Sequence, residues 1–133
     1  MQIEPSAKIL VVDDMPAMRS ILCRMLQELG FSQITAVEDG ETAWEMLQNG
    51  IENPEEFFEL IIADWNMPGM SGIELLRAIR SSTHTRLLPF LMVTSKGEQP
   101  NVFEATQLGV TDYIVKPFNG AQLGEKISAA LRT

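Results

Sequence analysis

The segment Ile9-Leu10-Val11-Val12-Asp13-Asp14 is a short aliphatic run that ends in two acidic residues. Three later runs have the same form, and each ends in a polar residue: Leu60–Asp64, Phe90–Thr94 and Tyr113–Lys116. Their near-continuous hydrophobicity is typical of strands that are buried on both faces of a parallel sheet. Because ligands of open α/β sheets bind beyond the carboxyl ends of the strands, the four runs predict one crevice lined by carboxylates, a hydroxyl and an ammonium.

Segments of helical periodicity separate these runs, and together they predict an α/β fold. We expect five parallel strands, at residues 8–13, 33–37, 60–64, 88–94 and 111–115, with the more polar second strand at an edge of the sheet. Five helices are expected at residues 16–29, 41–48, 73–81, 101–108 and 119–131. Their apolar faces predict a doubly wound sheet with helices on both sides. Residues 49–59 are predicted to form a solvated acidic loop.

Length and charge limit the classes of function. The 133 residues are expected to form one domain, spanning residues 1–133. A formal net charge of -8 and the lack of a basic run argue against direct nucleic-acid binding. The apolar runs are shorter than the ~18 residues of a membrane helix, so no membrane association is expected. The single cysteine, Cys23, and the lack of a secretion signal favour a cytoplasmic location.

The three aspartates at the ends of the first and third predicted strands form a candidate metal site. If these strands are neighbours, Asp13, Asp14 and Asp64 lie within about 5 Å of one another, and each pair repels by ~3 kcal/mol at an effective dielectric of about 20. Such a cluster needs a cation, a shared proton or a nearby lysine. Oxygen ligands favour Mg²⁺, which commonly takes one or two carboxylates, waters and phosphate oxygens. The alternative interpretation is that Asp13 and Asp14 only cap the following helix.

Asp64, Thr94 and Lys116 suggest what such a site would do. Asp64 follows a fully apolar strand, and a carboxylate so placed serves as a metal ligand or as a nucleophile that forms an aspartyl phosphate. Lys116 supplies a positive charge and Thr94 a hydroxyl donor, which is sufficient because phosphoryl transfer depends mainly on positioning and charge neutralisation. Taken alone, Lys116 with Pro117 could mark a strand end and Thr94 an ordinary strand position. Their convergence is what indicates phosphoryl chemistry.

Four segments, in this order and spacing, resemble the motifs of response-regulator receiver domains: Val11–Asp14, Asp64–Gly72, Met92–Ser95 and Tyr113–Phe118. The resemblance extends from Lys8 to Leu131 and is strongest to single-domain chemotaxis regulators. It implies a flavodoxin-like sheet of strand order 2-1-3-4-5. It also implies a phosphorylation switch of a two-component system, which is not an enzyme beyond catalysing its own phosphorylation and dephosphorylation.

The resemblance implies a role for each residue of the cluster. Asp64 would accept a phosphoryl group from a phosphohistidine of a sensor histidine kinase. Mg²⁺ would be bound by the carboxylates of Asp13, Asp14 and Asp64. The backbone carbonyl of Asn66 would be a further ligand. Thr94 and Lys116 would bind the phosphoryl oxygens, and Thr94 and Tyr113 would form the switch. The Lys116–Pro117 peptide would be cis.

The resemblance also implies a protein target, bound through the face built from the fourth helix, the fifth strand and the fifth helix. A component of the flagellar motor switch is one candidate. Two departures from the family pattern bear on this expectation. Lys96 stands where the chemotaxis regulators carry a glutamate beside the path of the hydrolytic water, and together with Asn66 it is predicted to alter the lifetime of the phosphoryl group. The acidic segment 49–59 is longer than in close relatives, which leaves the identity of the partner open.

Three alternatives to the phosphorylation switch each require a different sequence feature. A magnesium-dependent phosphatase with an aspartyl nucleophile would want a second acid two residues after Asp64, where Asn66 stands. A flavodoxin-like nucleotide binder would want a Gly-rich or Ser/Thr-rich loop after the first strand, and the segment Asp14-Met15-Pro16-Ala17 is neither. A phosphorylation-independent interaction module or a phosphate-relay sink on the same fold stays open, although an interaction module would usually have lost one of the five site residues.

Overall fold

The structure, a computed structural model, describes residues 6–95 and 99–132, and for residues 99–102 and 132 only the path of the backbone. Within these residues a single parallel sheet contains β1 (Lys8–Val12), β2 (Gln33–Val37), β3 (Leu60–Asp64), β4 (Phe90–Ser95) and β5 (Asp112–Lys116). The helices are α1 (Pro16–Glu28), α2 (Gly40–Glu52), α3 (Gly72–Ser81), α4 (Gln99–Gln107) and α5 (Gly120–Arg132). The strand order is β2-β1-β3-β4-β5. The predicted doubly wound α/β fold is confirmed.

The sheet separates two apolar layers, because successive side chains of a strand point to opposite faces. Leu10 and Val12 of β1 pack in one layer, together with buried residues of α2 and α3. Ile9 and Val11 pack in the other layer, together with buried residues of α1 and α5. All five residues of β3 are buried. This two-sided burial explains why the central strands read as continuous apolar runs in the sequence.

Local signals set the ends of the helices next to the site. Pro16 lies in the first turn of α1, where its missing N–H costs no hydrogen bond. Helix α3 begins with a capping box, in which the Ser71 hydroxyl accepts from the Glu74 N–H and the Glu74 carboxylate accepts from the Ser71 N–H. These caps hold the helix starts at the carboxyl end of the sheet, next to the loops that follow β1 and β3.

The prediction of an irregular loop at residues 49–59 was wrong in part. Helix α2 continues to Glu52, and a 3₁₀ helix covers Pro54–Glu56. Gly50 is buried, and a Cβ at this position would lie 3.1 Å from Cα of Phe57. The glycine therefore lets the last turn of α2 pack directly on the segment before β3. Tertiary packing of this kind outweighs the low helix propensity of glycine.

The other boundaries differ from the predicted ones by small shifts. Strand β4 begins at Phe90 rather than at residue 88, because the Leu88 N–H donates to the Thr85 carbonyl in a turn and Pro89 has no N–H. Strand β1 ends at Val12, yet the Asp13 N–H still donates to the Val37 carbonyl at 3.1 Å. No helix in the described part of the chain is both long and apolar enough to span a membrane.

Candidate functional site

The three predicted acidic residues meet at the carboxyl end of the sheet. Strands β1 and β3 pair in a register that sets Val12 opposite Ala63. The next residues, Asp13 and Asp64, therefore lie at the same edge of the sheet. One carboxylate oxygen from each of Asp13, Asp14 and Asp64 lies within 4.8 Å of the others. Asp13 and Asp64 are buried and Asp14 is half-buried. The parallel topology therefore brings together residues that are about fifty positions apart in the chain.

Asp13 is the most buried acid of the cluster, and its two oxygens differ. Oδ1 accepts a hydrogen bond from the Met15 N–H at 2.9 Å, whereas Oδ2 is buried and has no hydrogen-bond partner within the described part of the chain. Burial raises the pKa of the Asp13 carboxyl, and the Met15 N–H and the Lys116 ammonium partly oppose this. A buried carboxylate oxygen without a donor is costly unless a cation satisfies it. The donor set, all oxygen and strongly anionic, therefore fits a hard divalent cation such as Mg²⁺.

Lys116 contacts the acidic cluster from β5, which pairs with β4. It is the last residue of β5 and pairs with Ser95 of β4. Its Nζ lies 3.2 Å from Oδ1 of Asp64, and the two side chains are 22% and 8% exposed. The following peptide bond, Lys116–Pro117, is cis. The ammonium thus offsets part of the negative charge of the cluster while keeping some access to solvent.

Thr94 lies on β4 and Tyr113 on β5. Thr94 is 1% exposed, and it follows Val93, the β4 residue that pairs with Asp64. Tyr113 of β5 pairs with Met92, two residues before Thr94, so the Thr94 and Tyr113 side chains point to the same face of the sheet. Tyr113 is half-buried and packs against the apolar layer that contains Leu10 and Val12. The topology therefore places Thr94 at the carboxyl end of β4, the strand next to β3, and the Tyr113 ring on the same face of the sheet.

The loop between β3 and α3 is held closely against the site. The Trp65 N–H donates to the Val93 carbonyl at 2.8 Å, and the Gly72 N–H donates to the Trp65 carbonyl at 3.0 Å. A Cβ on Gly72 would collide with the carbonyl oxygen of Asp64, so only glycine fits there. The Asn66 side chain is exposed to solvent. Asn66 lies in the loop that follows Asp64, and its role as a backbone ligand stays a prediction.

Two supporting residues were missed at the level of sequence. Glu41 accepts a hydrogen bond from the Met70 N–H at 3.1 Å, which ties the β3–α3 loop to the start of α2. Arg19 donates from Nη1 to the Asp13 carbonyl at 2.7 Å, which fixes the backbone of the acidic pair. In the sequence pattern, Glu41 looks like an ordinary acidic residue of a first helical turn. Arg19 looks like a solvent-exposed helix residue. No local signal would have linked either of them to the site. Lys96, predicted to affect dephosphorylation, lies outside the described residues.

Comparison with known proteins gives a consistent family. Residues 9–128 match the family model described as "Response regulator receiver domain". The chemotaxis protein CheY of Pseudomonas aeruginosa is 46% identical over 120 residues, which are 90% of this chain and 92% of that protein. Chemotaxis protein CheY-3 of Vibrio cholerae is 45% identical over 120 residues, 90% of this chain and 88% of that protein.

Solved structures show the same similarity. The chemotaxis response regulator CheY4 of Vibrio cholerae superposes with a TM-score of 0.82 at 32% identity, covering 95% of this chain and 99% of that chain. A family match over most of the chain, relatives above 40% identity and a shared fold all agree with the acidic cluster and its lysine. The chain belongs to the receiver-domain family of response regulators.

Proposed function

We propose that the chain is a phosphorylation-activated switch of a two-component system, in which Asp64 accepts a phosphoryl group from a histidine kinase. The observation that carries the proposal is the environment of the Asp64 carboxylate. It is 8% exposed, lies in a cluster with Asp13 and Asp14, and is paired with Lys116 at 3.2 Å. A nucleophile in this setting is held in place and flanked by groups that neutralise incoming phosphate charge.

The residues around Asp64 would hold one divalent cation. The proposed ligands are the carboxylates of the three acids and the backbone carbonyl of the loop, namely Asp13, Asp14, Asp64 and Asn66. When bound, Mg²⁺ supplies positive charge that neutralises the phosphoryl oxygens and the carboxylates. The buried Oδ2 of Asp13, which has no hydrogen-bond partner among the described residues, supports this assignment because a cation would satisfy it.

In the proposed transfer, an Asp64 carboxylate oxygen attacks the phosphorus of the phosphohistidine. The P–O bond to Asp64 forms as the P–N bond breaks, and the imidazole leaves with a proton from the solvent or the kinase. Lys116 then binds a phosphoryl oxygen instead of the free carboxylate, and the Thr94 hydroxyl donates to another. Hydrolysis of the acyl phosphate resets the switch, so the chain acts only on its own phosphoryl group.

The change in charge is large enough to drive a conformational switch. Phosphorylation adds close to two negative charges and three acceptor oxygens. Inverting a 1:99 ratio of two states takes ~5.5 kcal/mol of differential stabilisation. Charge-assisted hydrogen bonds from Thr94 and Lys116, each worth ~1.5–3 kcal/mol, supply about that amount. Tyr113, on the same face of the sheet as Thr94, is the proposed relay to the partner surface.

A protein target is the proposed output. The relatives named as chemotaxis proteins support a role in chemotaxis and, with it, a component of the flagellar motor switch as the target. The proposed contact surface is formed by α4, β5 and α5. The charge of -8 supports a protein partner rather than direct binding to nucleic acid, and the location is proposed to be the cytoplasm.

The experiment is incubation with acetyl phosphate and Mg²⁺, followed by intact-mass measurement. The expected result is a gain of one phosphoryl group in the unaltered chain and none in Asp64→Ala. Asp112→Asn is the matched control, since it removes an acid from the same sheet outside the cluster. Absence of any gain, with candidate kinases as well, would favour the phosphorylation-independent interaction module.

The lifetime of the phosphoryl group is proposed to depend on Asn66 and Lys96. Asn66 is exposed next to the acceptor, and Lys96 follows Thr94 by two residues. The resemblance to a chemotaxis regulator implies a glutamate at this position, and the sequence has a cationic residue there instead. Lys96→Glu is expected to change the rate of phosphate loss from the purified phosphoprotein. An unchanged rate would contradict the role proposed for Lys96.

A further inference from the structure

We infer that Lys126 and Asp112 form a clamp that holds the ring of Tyr113 in the orientation seen here. The inference goes one step beyond the proposed function and rests on it for the role of Tyr113 in switching. It assigns positioning roles to two residues that do not touch the phosphoryl site. The three residues are called the tyrosine clamp below.

The cation of the clamp lies over the aromatic ring. Nζ of Lys126 is 5.6 Å from the centroid of the Tyr113 ring. A cation within about 6 Å of a ring centroid is attracted by the negative face of the ring.

The carboxylate of Asp112 fixes that cation in place. Lys126 Nζ lies 3.2 Å from Oδ1 and 3.3 Å from Oδ2 of Asp112, so the ammonium contacts both oxygens. Oδ1 of Asp112 also accepts the N–H of Tyr113 at 2.8 Å. One carboxylate therefore binds both the backbone of the tyrosine and the cation above its ring.

Both ends of the clamp belong to well-packed elements. Lys126 precedes Ile127 and follows Leu123 by three residues, and both apolar neighbours are fully buried under α5. Asp112 begins β5 and pairs with Leu91 of the buried strand β4. Since helix and strand are both anchored in the core, the clamp orders a ring that is itself only half-buried.

The clamp should bias the switch without controlling phosphorylation. The Lys126 and Asp112 side chains are 38% and 32% exposed, so solvent screens part of their attraction. A partly exposed cation–π contact changes the ratio of two ring orientations by about two- to five-fold. Loss of the clamp should therefore release the ring toward its alternative orientation by that factor.

The test uses the fact that Tyr113 is the only tyrosine of the chain. Protein labelled with 3-fluorotyrosine should report this ring alone in a ¹⁹F NMR spectrum. Lys126→Met, which keeps the aliphatic stem and removes the charge, should shift the resonance, and Asp112→Asn should shift it in the same direction. Lys126→Arg keeps a cation and should restore most of the original position.

Lys8→Met is the matched control, because it makes the same change of charge, from -8 to -9, on β1, which β3 and β4 separate from β5. It should leave the resonance in place. Raising the salt concentration should move the unaltered spectrum toward that of Lys126→Met, because the Debye length falls from about 30 Å at 0.01 M to about 3 Å at 1 M. A Lys126→Met spectrum that coincides with the original, or a Lys8→Met shift of equal size, would overturn the clamp.

Spectra recorded with and without acetyl phosphate and Mg²⁺ separate this inference from the proposed function. Intact mass shows in parallel whether the chain is phosphorylated. If the chain is phosphorylated and Lys126→Met changes the ratio of ring states about two- to five-fold, the role of the clamp is supported. If phosphorylation proceeds and the ratio is unchanged, the clamp has no role in the switch and the proposed function stands. If no phosphorylation occurs, the proposed function fails, and the donor-free spectra alone decide whether the clamp holds the ring.

Discussion

Nζ of Lys116 lies 3.2 Å from Oδ1 of Asp64, and this ion pair joins the two strands β3 and β5 across β4. The lysine also lowers the pKa of the Asp13 carboxyl, although burial dominates and the net shift is upward. A single ammonium thus balances part of the charge of a three-carboxylate cluster. If the site receives Mg²⁺ and a phosphoryl group as proposed, the Lys116 ammonium repels the metal ion and attracts the phosphoryl oxygens.

Replacing Lys116 should therefore separate metal binding from signalling. Lys116→Met is expected to bind Mg²⁺ about ten-fold more tightly, a change of about 1.4 kcal/mol, because a repelling cation has been removed. The same variant should lose the conformational response to phosphorylation. Isothermal titration with Mg²⁺ checks the first effect, with Lys116→Arg as the control that keeps the charge. Weaker Mg²⁺ binding in Lys116→Met would contradict this view of the cluster.

Asp13 should reduce stability at neutral pH when no metal ion is supplied. Burial raises its pKa in the folded state above the ordinary value of an aspartate, so the folded protein holds the proton more tightly than the unfolded chain does. Stability then falls as the pH rises from the unfolded pKa through the folded one. Asp13→Asn is therefore expected to raise Tm at pH 7, by roughly 4 °C for each ~1 kcal/mol gained in unfolding free energy. The same variant should no longer bind Mg²⁺.

This stabilisation by Asp13→Asn should disappear at a pH below both pKa values, where the aspartate is protonated in the folded and the unfolded states. Thermal unfolding followed across the acid range with a chelator present measures it. A lower Tm for Asp13→Asn at pH 7 under these conditions would show that the carboxylate stabilises the fold by itself.

Arg80 is expected to contribute to stability far more than its neighbour Arg77 on the same helix. Arg80 donates from Nη1 to the Leu88 carbonyl at 2.7 Å and from Nε to the Gly109 carbonyl at 2.9 Å, joining the ends of α3 and α4 to the start of β4. Arg80→Ala should cost about 2–3 kcal/mol, since hydrogen bonds to charged groups are worth ~1.5–3 kcal/mol.

Arg77→Ala is the control for that experiment. Its guanidinium makes a 3.6 Å pair with Glu104, and the two side chains are 56% and 50% exposed. Exposed pairs of this kind contribute about 0–1 kcal/mol. Urea unfolding of both variants measures the difference, and equal losses of unfolding free energy would mean that the Arg80 hydrogen bonds to the Leu88 and Gly109 carbonyls are unimportant.

Gly72→Ala should damage the site, whereas Gly120→Ala should not. A Cβ at Gly72 would meet the Asp64 carbonyl and, at 3.0 Å, the Cα of Trp65, so the backbone of the acceptor has to move. A Cβ at Gly120 meets nothing within 4 Å, and alanine there should stabilise α5 by about 0.4–1 kcal/mol. Mg²⁺ affinity and Tm, measured for both, should fall in the first variant and hold or rise in the second.

The residues of the candidate site were predictable because parallel strands deliver their carboxyl ends to one edge of the sheet. Asp13, Asp64, Thr94 and Lys116 each follow or end an apolar run, and the chain order alone suggests that they meet. The strand order that makes β1, β3 and β4 neighbours does not follow from periodicity. It came from the resemblance to receiver domains and was confirmed by the structure.

Contacts between distant side chains could not be predicted in the same way. The hydrogen bond from Met70 to Glu41 and the position of Lys126 over Tyr113 depend on how α2 and α5 pack against the sheet. Gly50 misled the prediction for the opposite reason, since its low helix propensity is offset by close packing against Phe57. Local sequence preference predicts secondary structure well where a strand is buried along its whole length. It is unreliable where a single tertiary contact determines the end of a helix.

The central claim is that Asp64, and no other acid of the cluster, carries the phosphoryl group. The most direct measurement treats the chain with acetyl phosphate and Mg²⁺, reduces the acyl phosphate with borohydride and maps the product by peptide mass. Reduction converts a phosphorylated aspartate into homoserine, so the modified position is read directly. The account predicts homoserine at position 64 alone. Homoserine at position 13 or 14, or an unmodified chain after treatment with a donor and a candidate kinase, would contradict it.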